Sequence, residues 1–215
     1  MQIDRMRPPQ ATGFSHGEVQ IDGVILCGGQ GKRMGGKQKG LFLLKGKPLF
    51  VYAAEKLAPR VKTLWISANR FLDEYAKYGW PVIKDCVENL GPLGGIYSVL
   101  LNIQSSLLLV LPCDCPFFEI GWERVLLEKL LSSSASVAYI SDGQKEQFLF
   151  ALFKKSALSQ LEEYLLSGQR QVEGFYRKVA ALKVDWADAS QRFFNINTLE
   201  AFEEANKMFD WIDKS

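Results

Sequence analysis

The stretch VILCGGQGKRMGGKQKG, residues 24–40, sets six glycines and four cations directly behind an apolar run. Glycine lets a backbone turn sharply and aim its N–H groups at an anion, and Lys and Arg add charge, so phosphate binding is the first chemistry to test. Gly31 to Lys37 has the G-x-x-x-x-G-K spacing of a Walker A loop, but Gln38 follows where a hydroxyl would meet magnesium. Gly29-Gln30-Gly31 opens a dinucleotide fingerprint, but Met34 stands where its third glycine belongs. What is left is L-x-G-G-x-G-x-R-M-G-G-x-x-K-G, longer and more basic than either motif. Four cations within eight residues repel one another unless an anion joins them. Arg33 and Lys39 are assigned as phosphate clamp and charge neutraliser; Lys32, Lys37 and Lys45 read as solvated.

Three further groups could do chemistry. Asp114 follows a strongly apolar run and lies between Pro112 and Pro116, which restrict the backbone on both sides. A carboxylate there can be a turn former, or a ligand for magnesium, a hard cation that keeps waters and bridges substrate phosphates. Asn195 and Asn197 alternate in FFNINT, so as strand residues they face one side. They read as turn chemistry before a helix capped by Thr198, as neutral oxygen ligands for a metal, or as hydrogen bonds to a substrate. Asp85 can cap an element or serve as a second polar anchor. Cys113-Asp114-Cys115 could be a redox pair, but two small residues flanking Asp114 in a reduced compartment is the favoured reading. Cys27 and Cys86 complete the cysteines, and no C-x-x-C pair suggests zinc. The one histidine, His16, leaves no imidazole base for a triad near these groups.

The elements that must position these residues alternate. Strands are predicted at 23–27, 62–67, 81–84, 106–111, 136–140, 148–153, 182–185 and 193–196, and helices at 48–57, 72–78, 94–104, 122–131, 155–166 and 199–208. The continuous apolar run Leu107 to Leu111 suits a central strand covered on both faces. The pattern predicts an α/β fold, an open, mostly parallel Rossmann-like sheet with helices on both faces. Ligands in such sheets sit beyond the carboxyl ends of strands, and those ends carry the basic loop, Ser67-Ala68-Asn69-Arg70, Asp85 with Gly91 to Gly95, and Pro112 to Pro116.

The chain has 215 residues, 47% hydrophobic and 23% charged, which suits one globular domain over 21–215 behind a flexible arm at 1–20. A net charge of +2 gives no general attraction to nucleic acid. The N-terminus lacks a signal-peptide core and no run approaches 18 apolar residues, so a cytoplasmic protein without membrane contact is expected.

On these residues the chain resembles the molybdenum cofactor guanylyltransferases, within the nucleotide-diphospho-sugar transferase fold. The resemblance runs from about Asp22 to Phe209. Its markers are LCGGQGKRMGGKQKGL, GKPL at 46–49, SANR, GPLGG, PCDCP and FNINT. R-M-G-G-x-x-K-G with P-C-D-x-P separates this branch from most sugar and cytidylyl relatives.

The resemblance implies transfer of GMP from GTP to the terminal phosphate of molybdenum-loaded molybdopterin, with release of pyrophosphate and Mg2+ as cofactor. It implies that Leu26, Cys27, Gly28 and Gly29 meet the guanosine through backbone, that Lys39 meets the phosphates, and that Asp114 binds magnesium and nucleotide. Asp85 and Ser67 would line the guanosine pocket. Asn195 and Asn197 would face the acceptor or the metal, and Arg170, in GQRQV, the acceptor side. Transient contacts with proteins that deliver the cofactor or receive it would follow. The sequence departs from the pattern at Gln38, where an acid is usual, at Ser67, where an asparagine is usual, and at Glu146-Gln147-Phe148, which lacks a proline. Two other readings remain open: a relative using CTP on the same cofactor or a nucleotide on a sugar phosphate, and a GTP-binding module without turnover.

Overall fold

The computed structural model describes residues 19–28, 38–186 and 193–212. Strand β1 (Ile21–Leu26) is followed by a 3-10 turn (Lys39–Leu41) and a short hairpin, β2 (Leu43–Leu44) and β3 (Lys47–Pro48). Then come α1 (Leu49–Leu57), β4 (Leu64–Ser67), α2 (Leu72–Ala76), β5 (Val82–Ile83), α3 (Pro92–Asn102) and β6 (Leu107–Pro112). The second half holds α4 (Trp122–Leu131), β7 (Val137–Ser141), β8 (Glu146–Lys154), α5 (Ala157–Leu166), α6 (Val172–Lys178), β9 (Leu182–Asp185) and α7 (Leu199–Ile212).

Among the described residues seven strands form one sheet in the order β5-β4-β1-β6-β8-β7-β9. Only β8 runs against its neighbours; the β5-β4, β4-β1, β1-β6 and β7-β9 pairs are parallel. The mostly parallel sheet expected from the sequence is therefore present. β1 and β6 are central because they can be buried on both faces, and side chains alternate between two cores. Leu107, Leu109 and Leu111 pack with Ile25, with Phe50 and Leu57 of α1 and with Trp122 and Leu126 of α4. Leu108 and Val110 pack on the other face with Val24, with Leu93, Ile96 and Val99 of α3, and with Leu161 of α5 and Phe175 of α6. A third cluster joins Leu44 and Leu49 to Ile196 and Ala205, which docks α7 on the hairpin.

β1 stands where chain order reverses, since the chain moves one way to β4 and β5 and returns on the other side as β6. That switch point opens a crevice at the strands' carboxyl ends.

Three differences from the expected elements matter. Residues 193–196 are not a strand: Ile196 donates one backbone hydrogen bond to Asp114 O (2.9 Å), and Phe193 and Ile196 are buried in two different clusters. Their apolar alternation serves docking rather than sheet pairing. The hairpin at 43–48 was not foreseen; its turn is Lys45-Gly46, both at positive φ (49° and 79°), as a two-residue hairpin turn requires. α6 was not foreseen either. Its seven residues include Gly174, so the local helical signal is weak.

Candidate active site

Hydrogen bonds across three parallel strands gather the loops. Cys27 N donates to Ser67 O (2.8 Å) and Cys113 N to Leu26 O (3.3 Å), so the ends of β1, β4 and β6 lie side by side. They border a cavity of about 770 Å³ whose walls include Leu26, Cys27, Gly28, Lys39, Ser67, Asp85, Asp114 and Asn197. Seven of the eight GTP positions implied by the resemblance, Lys39, Ser67, Asp85 and Asp114 among them, lie in this one place. Gly29 and Arg33 fall outside the described residues.

Asp85 and Asp114 stand at the ends of β5 and β6, three strand spacings apart, roughly 14 Å of sheet. Their surroundings differ. Asp85 is held by neutral groups: Asn69 Nδ2 donates to its Oδ2 (2.8 Å), and its own N–H donates to Asn69 Oδ1 (3.0 Å). Burial pushes its carboxyl above the ordinary 3.8, while hydrogen bonds from Asn69 and Ser67 and the charge of Lys84 oppose the rise. Ser67 is 2% exposed and its Oγ is packed beneath α3. A Cβ on Gly95 would stand 2.3 Å from that oxygen, which is why the last glycine of GPLGG has no side chain.

Asp114 is held by a charge. Lys39 Nζ donates to Asp114 Oδ2, to Asn197 Oδ1 and, at 3.1 Å, to Asn195 Oδ1. The lysine reaches this point because its 3-10 turn rests directly on β1; a Cβ on Gly40 would stand 2.8 Å from Tyr75 Oη and 3.2 Å from Cys27 Sγ. The backbone hydrogen bond from Ile196 to Asp114 brings the two asparagines to the same place. So Asn195 and Asn197 do present their oxygens to one point, though from an unpaired segment. Thr198 also caps α7 as expected, its Oγ1 accepting from Ala201 N (3.2 Å).

The cysteines are all free. Cys27, Cys113 and Cys115 are buried, and burial first, then Asp114, pushes the Cys115 thiol well up, so it is not a poised thiolate. The structure replaces the redox alternative with packing beneath the site. Arg170 is not in the cavity wall; its Nη1 donates to Asn89 O (2.9 Å), and Asn89 is a wall residue, so Arg170 is at the rim. Gln38 is 6% exposed and lines the cavity, and its Oε1 is buried with no hydrogen-bond partner among the described residues.

Asn69, Arg70, Lys84, Glu88 and Asn89 also line the cavity and were not singled out from the sequence. Asn69 is placed by strand pairing rather than by any local signal. Ser67 lies opposite Ile83 in the β4-β5 register, so two residues on, Asn69 must face Asp85.

As a cation site, the oxygens around Lys39 Nζ comprise one carboxylate and two carboxamides. Among the described residues no group of three or more His, Cys, Asp or Glu converges. The set does not suit zinc. It does suit a hard cation that takes oxygen ligands and keeps waters and substrate phosphates in its shell.

No helix among the described residues is long and apolar enough to cross a membrane. The MobA-like NTP transferase domain matches residues 23–183. A molybdenum cofactor guanylyltransferase of Pasteurella multocida is 38% identical over 84% of this chain and 96% of its own, and one of Shewanella halifaxensis is 37% identical over 85% and 92%. Among solved structures, molybdopterin-guanine dinucleotide biosynthesis protein A of Archaeoglobus fulgidus superposes with a TM-score of 0.76, 21% identity and coverage of 88% of this chain and 99% of that one. A CMP:2-keto-3-deoxy-manno-octonic acid synthetase complexed with CTP follows at TM-score 0.69 and 12% identity over 89% and 99%, a likeness of fold. With its sheet order, its crevice and most of its length accounted for in this way, the chain belongs to the MobA-like NTP transferase family, among the molybdenum cofactor guanylyltransferases.

Proposed function

We propose that this chain transfers GMP from GTP to the terminal phosphate of molybdenum-bearing molybdopterin, releasing pyrophosphate. The observation that carries the reading is one cavity with a neutrally held carboxylate at Asp85 and a cation-matched oxygen cluster at Asp114, in a chain aligned over most of its length with guanylyltransferases.

Each part of GTP has a place in this reading. The Asp85 carboxylate, oriented by Asn69, accepts from the N–H donors on the edge of guanine. Leu26, Cys27 and Gly28, with Gly29 beyond the described residues, follow the ribose and α-phosphate with backbone. Lys39 and Arg33 take the triphosphate charge. The acceptor's phosphate is already an anionic nucleophile, so no side chain need remove a proton from it. Its attack on the α-phosphorus forms one P–O bond as the bond to pyrophosphate breaks, and positioning with charge neutralisation lowers the barrier. Asp114 would hold magnesium, with Asn195 and Asn197 as its neutral neighbours. When bound, that ion would supply charge neutralisation across the triphosphate. Arg170 at the rim and the two asparagines face the acceptor side. Contacts with cofactor-delivering proteins and with recipient molybdoenzymes belong to the same proposal.

Ser67 favours a second reading, since a buried serine in place of asparagine removes a donor that could read the base, and CTP or another nucleotide would then compete. The test is pyrophosphate release from GTP, CTP, ATP and UTP with magnesium and loaded cofactor. Release from GTP well above the other three is expected. Equal release from CTP selects the second reading, and orthophosphate or no product rejects nucleotidyl transfer.

A further inference from the structure

We propose that Asp114, Asn195 and Asn197 form a divalent-cation site whose resting occupant is the Lys39 ammonium, so that cation and lysine exchange rather than bind together. The proposal deepens the nucleotidyl-transfer reading and rests on it for the identity of the incoming charge.

Three oxygens from two distant stretches of chain converge on a single Nζ. An ammonium has three N–H donors, and these three acceptors satisfy all of them. In this position Lys39 has no donor left for a phosphate, and Asp114 has its Oδ2 engaged. The Lys39 and Asp114 side chains are 16% and 13% exposed, so water screens the pair only partly. The oxygens are also the hard, mostly neutral set that an alkaline-earth cation takes. A divalent ion placed beside an ammonium on the same carboxylate would meet strong repulsion, so one occupant excludes the other. Lys39, Asp114 and Asn197 all border the cavity, and a triphosphate there offers the lysine a new set of oxygens. Lys39 therefore has two stations. At rest it neutralises the cluster and keeps it from collecting a cation; with nucleotide present it moves to the phosphates and vacates the oxygens. It follows that cation and nucleotide load together.

The test is direct Mn2+ binding to the nucleotide-free full chain, read from the electron paramagnetic resonance signal of free Mn2+. Wild type should bind weakly. Lys39→Met, and Lys39→Gln as a second neutral variant, should bind at least about ten-fold more tightly. Adding Asp114→Asn, or Asn195→Ala with Asn197→Ala, to Lys39→Met should remove that gain. Equal affinity in wild type and both Lys39 variants overturns the proposal, as does a gain that survives loss of the asparagines. No nucleotide or acceptor is present in these titrations, so they can fail while pyrophosphate release from GTP stands, and the reverse.

Discussion

The same cavity holds two aspartates at the ends of two parallel strands, and the chain treats them in opposite ways. Asp85 lies at the edge of the sheet, is fixed by a reciprocal pair of hydrogen bonds with Asn69, and has its carboxyl raised by burial. Asp114 lies next to the central strand and is fixed by an ammonium that also binds two carboxamides. Neutral donors orient a carboxylate without cancelling its charge, which suits reading hydrogen-bond donors on a ligand. An ammonium cancels charge until something replaces it, which suits a site where charge is handled during the reaction. In the proposed reading this difference divides recognition from catalysis along about 14 Å of sheet edge.

The sharpest way to break this division is at Asp114. Asp114→Ala should reduce pyrophosphate release by three orders of magnitude or more, about 4 kcal/mol, with circular dichroism unchanged, because the residue follows β6 rather than packing within it. Turnover near the wild-type level in a folded variant would move the charge-handling role elsewhere. Lys39→Ala comes next, with a loss on the order of 10²-fold, about 3 kcal/mol, falling on kcat more than on the KM for GTP. Lys39→Arg should recover only part, since a planar guanidinium does not replace a compact ammonium against the phosphates. If KM rose with kcat unchanged, Lys39 would be a uniform binding contact.

Much of the Asp114 side was legible in the sequence, and less of the Asp85 side. The apolar run ending at Pro112 announces a central strand, and a carboxylate between two prolines announces a fixed position at its end. Asn195 and Asn197 were paired by strand alternation, yet the segment is not in the sheet among the described residues. They reach one point because Ile196 is buried between them and bonded to Asp114. The meeting of Lys39 with Asp114 joins residues 75 positions apart, and no local periodicity encodes such a closure. Asn69 in SANR has no role legible in the sequence, since its partner emerges only when β4 and β5 are set in register. The hairpin and α6 were missed for a different reason. Two-residue strands and a seven-residue helix are too short for a period to show.

Asp85→Asn should spare turnover at saturating GTP but cost discrimination. The carboxamide presents an N–H toward a donor edge of the base, so the preference for GTP over ATP should fall by tens of fold, about 2 kcal/mol. The pH dependence supplies an independent check. A carboxyl raised above 3.8 by burial is neutral in the folded protein at pH values where the unfolded chain is already ionised. Its contribution to stability is therefore full below 3.8 and lost as pH rises through the folded value. If the ionised form reads the base as proposed, kcat/KM for GTP should decline on acidification at a pH above 3.8. Asp85→Asn should abolish that acid limb, and an identical limb in the variant would assign it to another group.

The smallest effect should come from Ser67. Its hydroxyl is buried beneath Gly95 and acts on the base only through Asp85, so Ser67→Ala should raise the KM for GTP a few-fold, about 1 kcal/mol, and leave kcat unchanged. One hydrogen bond that opposes the raised carboxyl would be gone, so the acid limb should move further upward. That shift separates orientation of Asp85 from direct contact, because a hydroxyl that touched the base itself would change KM without moving the limb. Restoring asparagine here tests the same point from the opposite side. A longer carboxamide must enter the space kept open by Gly95, so Ser67→Asn with Gly95→Ala should be less stable than the two single variants together suggest, as neighbouring substitutions that compete for one volume are not additive. Additive losses in thermal unfolding would mean that Ser67 and Gly95 do not share that space.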